Sequence, residues 1–143
     1  MMNNVIEFDG IKFWVDQDII HCNLDNVFFK KHKNVNIEEL FSNVIPVLSN
    51  GKYMPFMVNI EDVERPYALK IFNIISKSSY IKRLVLSRIF LVNSTGLKVI
   101  LSLNNLIVKQ AVPNKIYRSY NAAIKYCKKD YMIFNEVSEH GFS

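Results

Sequence analysis

Cysteine, histidine, glycine and proline are all scarce in this sequence, and each scarcity removes a class of protein. The two cysteines, Cys22 and Cys127, match no zinc or thioredoxin-like spacing, and their separation argues against a disulfide scaffold. Both are expected as small buried core residues in a reducing, cytoplasmic setting. The three histidines, His21, His32 and His140, do not cluster, so no His-x-x-x-His motif or local Ser/His/Asp arrangement can be built. No metal, cofactor or catalytic residue is therefore assigned. Four glycines and four prolines are too few for a collagenous or low-complexity chain. No apolar run approaches the ~20 residues of a membrane-spanning helix. The start, Met1–Glu7, lacks the charged and apolar regions of a signal peptide, and a soluble protein is expected.

What the chain does have is core material. Half of its 143 residues are hydrophobic and 22% are charged, which suits one domain with a sizeable core. A single domain over 1–143 is expected, with a core over about 5–129 and a C-terminal tail at 130–143. The net charge of +5 is spread along the chain. Only Lys30-Lys31-His32-Lys33 and Lys128-Lys129 form runs, and no element combines a basic stripe with interleaved aromatics. Nucleic acid is accordingly not expected as a partner.

The first third reads as β. Ile6–Phe8 and Ile11–Val15 flank Asp9-Gly10, a dipeptide whose two positions tolerate positive φ in a tight hairpin. Ile19–Leu24 extends this to an antiparallel meander of two or three strands, with Phe13 and Trp14 expected as core residues, and Asn23–Asn34 follows as a polar connection anchored by Val27-Phe28-Phe29. Asn36 is the N-cap expected for a helix, with Glu39 completing a capping box. Ile37, Leu40, Phe41, Val44, Val47 and Leu48 recur at helical spacing as its buried stripe, and Asn50-Gly51 ends it.

Strands then alternate with helices. Tyr53–Ile60, with Met54, Phe56 and Val58 opposed to Met57 and Ile60, and Leu84–Val92 read as strands apolar on both faces, which belong inside a sheet. Pro66–Ser76, with apolar spacing continuing to Ile81, reads as a helix, as do Leu97–Lys109 and Asn121–Lys129. Lys115–Arg118 is a short strand preceded by Pro113, which suits a sheet edge. The fold class is α/β, a mixed sheet with an N-terminal hairpin and about four helices.

The Leu97–Lys109 helix has more apolar surface than one sheet contact requires. Its apolar residues cover roughly 220° of circumference, against a stripe of ~100° for an ordinary surface helix. Lys98, Ser102, Asn105 and Lys109 form the expected wet strip, and Val99, Leu103 and Leu106 define the surplus flank. A neighbouring helix, a ligand or a second copy of the chain is expected to cover that flank, which makes a homodimer a candidate assembly.

Two loops carry candidate chemistry. Asn93-Ser94-Thr95-Gly96-Leu97-Lys98 joins a strand to a helix N-terminus, where Ser94, Thr95, Gly96 and Lys98 could hold an anion on free N–H groups. The first reading of Ser94 or Thr95, ahead of an anion site, is as a plain helix cap. Asn59-Ile60-Glu61-Asp62-Val63-Glu64 groups three carboxylates, which can ligate a metal or act as acid and base, and which also suit the helix start at Pro66.

The element order, a β-hairpin, a helix and then strand–helix alternation, resembles the STAS fold of sulfate transporters and anti-sigma factor antagonists. The resemblance spans roughly Ile11–Lys129. It extends to short segments of uncharacterised bacterial members: Asn50-Gly51-Lys52-Tyr53-Met54-Pro55, Leu91-Val92-Asn93-Ser94 and Tyr120-Asn121-Ala122-Ala123-Ile124-Lys125-Tyr126-Cys127. In signalling members of that family a phosphorylatable serine follows the strand that corresponds to Phe56–Ile60. Here Tyr67-Ala68-Leu69 occupies its place, and no Ser or Thr lies between Asn59 and Ile75. The resemblance thus implies a non-enzymatic module, regulatory in role, that binds a protein partner without a serine switch. Small-molecule or lipid binding in an apolar pocket is the alternative, followed by an enzyme using the 93–98 or 61–64 loop.

Overall fold

A computed structural model describes residues 5–107 and 114–140. Three antiparallel strands open the chain: β1 (Val5–Phe8), β2 (Ile11–Asp16) and β3 (Ile19–Asp25). Helices α1 (Asn26–Lys31) and α2 (Ile37–Ser49) lead to β4 (Pro55–Asp62). Helices α3 (Arg65–Lys77) and α4 (Ser79–Leu84) lead to β5 (Ser87–Leu91), and α5 (Thr95–Ile107) leads to β6 (Asn114–Tyr117). The long α6 (Tyr120–His140) completes an α/β architecture.

The strands lie in the sheet in the order in which they occur in the chain, β1 to β6, with β3, β4, β5 and β6 parallel. Right-handed crossovers between successive neighbours, all advancing the same way, place their helices on one face. In keeping with that, α2 packs on β2, β3 and α3, and α3 packs on β5 and α5. The main core fills this side, where Phe13, Phe41, Phe56, Phe72 and Phe90 are fully buried. Strand alternation sends the remaining side chains to the second face. There α6 packs on β4, β5 and β6 around a smaller cluster of Ile19, Met57, Ile89, Leu91, Ala123 and Cys127.

Several sequence expectations hold. Asn36 caps α2 by accepting from Glu39 N at 3.1 Å, and Asn50 and Gly51 end it at φ 52° and 82°. The hairpin, the alternation and the edge position of β6 are as read. Other expectations need correction. Six helices are present among the described residues, because Asp25 caps α1 within the supposed loop and Ser78 divides the 66–81 segment. Ser78 is extended (ψ 118°), and its Oγ accepts from Ile81 N at 3.1 Å, starting α4 anew. Val47 is 62% exposed, and Ile45 takes the buried place on α2 instead. Ile60 shares the main core with Phe56 and Val58, while Met57 alone faces the second cluster. Residues 130–140 continue α6, since no Gly or Pro interrupts the chain between Ser119 and Gly141.

The turn geometry is also redistributed. At Asp9-Gly10 only Gly10 takes positive φ (75°), and a Cβ there would strike the Phe28 backbone. The turn with positive φ at both positions joins β2 to β3 through Gln17 (54°) and Asp18 (61°), with no glycine at all. That pairing suits the twist of the two strands, at a cost for Gln17 in particular.

Candidate functional site

In a parallel sheet the loops that follow the strands open on one edge, together with the helix N-termini they feed. That edge unites the two loops that are separate in sequence. Asn93 Nδ2 donates to the Glu61 carbonyl at 2.7 Å, and Asn59 Oδ1 accepts from Glu61 N at 2.9 Å. Asn26 Oδ1 accepts from Glu64 N at 2.7 Å, so the end of β3 joins the same network.

The four anion candidates each have a definite position. Ser94 caps α5: its Oγ accepts from Leu97 N at 3.1 Å, and its carbonyl accepts from Lys98 N at 3.1 Å. Thr95 Oγ1 accepts from Arg118 Nη1 at 2.6 Å. Gly96 lies against Arg65, whose Nη2 would be 3.3 Å from a Cβ added there. Lys98 is half-buried one turn in. Arg65 and Arg118 are therefore the residues that sequence reasoning missed. One opens α3 and the other follows β6, and no local pattern ties either to residues 93–98. Among the described residues no group of three His, Cys, Asp or Glu side chains converges for a metal ion.

The outer flank of α5 is the second candidate. Leu97 and Leu101 face the core at 3% and 0% exposure, which orients the helix. Val99 and Leu103, one turn apart, remain 51% and 57% exposed even though α3 packs beside α5. Lys98 and Ser102, expected in the wet strip, are half-buried. The Leu106 side chain and residues 108–113, with Lys109 and Pro113, lie outside the described set.

The second face of the sheet holds a further group over β2 and β3. Trp14, expected in the core beside Phe13, is half-buried here because its position in β2 points away from the main core. Its ring stacks on His21 at 4.9 Å and 6°, and Lys12 Nζ lies 5.3 Å from the ring centroid. His21 is only 3% exposed, and its Nε2 has no hydrogen-bond partner among the described residues. Burial pulls its pKa below the ordinary value, against a partial upward pull from the Asp16 backbone and carboxylate. Cys22 and Cys127 belong to the clusters on opposite faces of the sheet and are free thiols. Burial pushes the Cys22 thiol well up, and burial with Asp130 pushes Cys127 up to about 12.

No protein family, curated protein or solved structure matches the chain.

Proposed function

We propose that this chain is a non-enzymatic, STAS-like interaction module that binds a protein partner through the outer flank of α5. The observation that carries the reading is the exposure of Val99 and Leu103 on a helix whose other face closes the core. Half-exposed aliphatic side chains of this size gain about 1 kcal/mol each on burial against a partner. The hairpin followed by strand–helix alternation supports the STAS-like assignment. The use of Ser94 as a cap and of Thr95 as an acceptor for Arg118 supports a structural, rather than catalytic, role for the 93–98 loop.

The test is cross-linking in the native cell with three versions of the chain. Leu103→Glu places a charge on the proposed surface, and Val47→Glu places one at an equally exposed position on α2. The wild type and Val47→Glu are expected to capture the same protein, and Leu103→Glu to lose it while keeping its far-UV spectrum. Equal capture by all three would reject the α5 flank as the binding surface.

A further inference from the structure

We propose that two copies of this chain pair through α6, antiparallel about a twofold axis at Met132. The interaction is separate from the α5 flank, because α5 and α6 lie on opposite faces of the sheet.

The sequence of α6 is divided by charge. Lys125, Lys128 and Lys129 fall in its first half, Asp130 at its midpoint, and Glu136 and Glu139 in its second half. Lys128, Met132 and Glu136 recur every four residues and so share one face of the helix. Both charged side chains are exposed, and neither has an ion-pair partner among the described residues. They cannot pair within their own helix, since eight residues separate them by about 12 Å along the axis. A cation and an anion equidistant from one residue are what an antiparallel twofold pair requires. A residue a given number of positions before Met132 then faces the residue the same number after it on the other copy. Lys128 meets Glu136 of the second copy, and Glu136 meets its Lys128, so one arrangement satisfies all four charges.

The residue on the axis is apolar and uncovered, with Met132 at 56% exposure. Beside it an open hollow of about 520 Å³ lies between α6 and the β2–β3 turn, lined by Gln17, Asp18, Tyr131, Met132 and Asn135 among others. The hollow can accept the Met132 side chain of the second copy, and methionine's three rotatable bonds suit an irregular space. Apolar contact at the axis flanked by two equal charge pairs makes the face self-complementary. That favours a second copy over an unrelated partner.

The test is sedimentation equilibrium of the full chain at micromolar concentration, with Lys128→Glu, Glu136→Lys, the double variant and Leu103→Glu. Each single reversal sets like charges against each other at two symmetric contacts and is expected to weaken the dimer about tenfold or more. The double variant restores opposite charges at both contacts and is expected to return to near the wild-type constant. Rescue cannot come from a general loss of folding, and far-UV spectra check each chain. A wild-type monomer, single reversals without effect, or a double variant that fails to recover would each overturn the proposal. So would a dimer that dissociates with Leu103→Glu and not with Lys128→Glu, since it would place the twofold at α5.

Discussion

Arg88, the second residue of β5, donates through Nη1 to the carbonyl of Ile75 at 3.0 Å, at the far end of α3. The same nitrogen reaches the Ser76 carbonyl, also at 3.0 Å. These are carbonyls of the last turn of a helix, where the i→i−4 ladder runs out and the negative end of the dipole lies, and the Ile75 carbonyl also accepts from Ser78 N at 3.4 Å. Arg88 has no solvent exposure, and burial lowers its pKa to about 10, which leaves it charged at neutral pH. A buried cation thus anchors the end of α3 to the sheet at the point where Ser78 starts α4.

Replacing Arg88 with methionine is expected to lower stability by about 3 kcal/mol, because two buried carbonyls lose a charged donor. Arg88→Lys should cost less, since an ammonium retains the charge but lacks the planar fork. Urea denaturation of the three proteins checks the order. A methionine variant as stable as wild type would show that the hydrogen bonds contribute little beyond packing.

His21 predicts a pH dependence of stability. Its folded-state pKa is lowered from the model-compound 6.5 by burial, so the unfolded chain binds its proton more readily. Its contribution is fully present above pH 6.5 and is lost as pH falls through the folded value. The neighbours that face it are Trp14 and Asp16 from β2 and Met57 from β4, and Asp16 is the charged group acting on it. Urea midpoints at pH 7.5 and 5.5 should therefore differ more in wild type than in His21→Phe. Trp14 emission is expected to report the same transition, because its ring stacks on the imidazole. A His21→Phe chain with an undiminished pH slope would assign the effect to other groups.

Ser94→Ala is expected to cost about 1 kcal/mol, the usual value of an N-cap hydroxyl. Thr95→Ala should cost less at neutral pH, as its partner Arg118 is exposed and finds water instead. Thermal or urea unfolding measures both. A larger loss at Thr95 than at Ser94 would show that the Arg118 contact, and not the cap, holds the start of α5.

Much of the architecture is legible in the sequence because it depends on interactions between near neighbours. Hydrophobic period separates strands from helices, Asn36 and Asn50-Gly51 mark both ends of α2, and alternation of apolar strands and helices sets the α/β class. The length of α6 was open to the same reading, since nothing between Ser119 and Gly141 stops a helix. Local pattern misplaces features whose cause is distant. Nothing in the apolar run around Arg88 marks it as the anchor of α3, whose end only the fold brings above it. Trp14 passes for core until its register in β2 turns it to the other face.

The candidate sites divide along the same line. Ser94 as a cap was readable because its partner, Leu97 N, is three residues away. Arg118 on Thr95, Asn93 on Glu61 and His21 beneath Trp14 join residues from different elements and their loops, and only the order of the sheet makes them neighbours. The sequence by itself determined that α5 has more apolar surface than one contact consumes, since arc width depends only on residue spacing. Whether that surplus is buried depends on where α3 lies, and the tertiary structure decided it: packing leaves Val99 and Leu103 in water, because one neighbouring helix cannot cover both flanks of another.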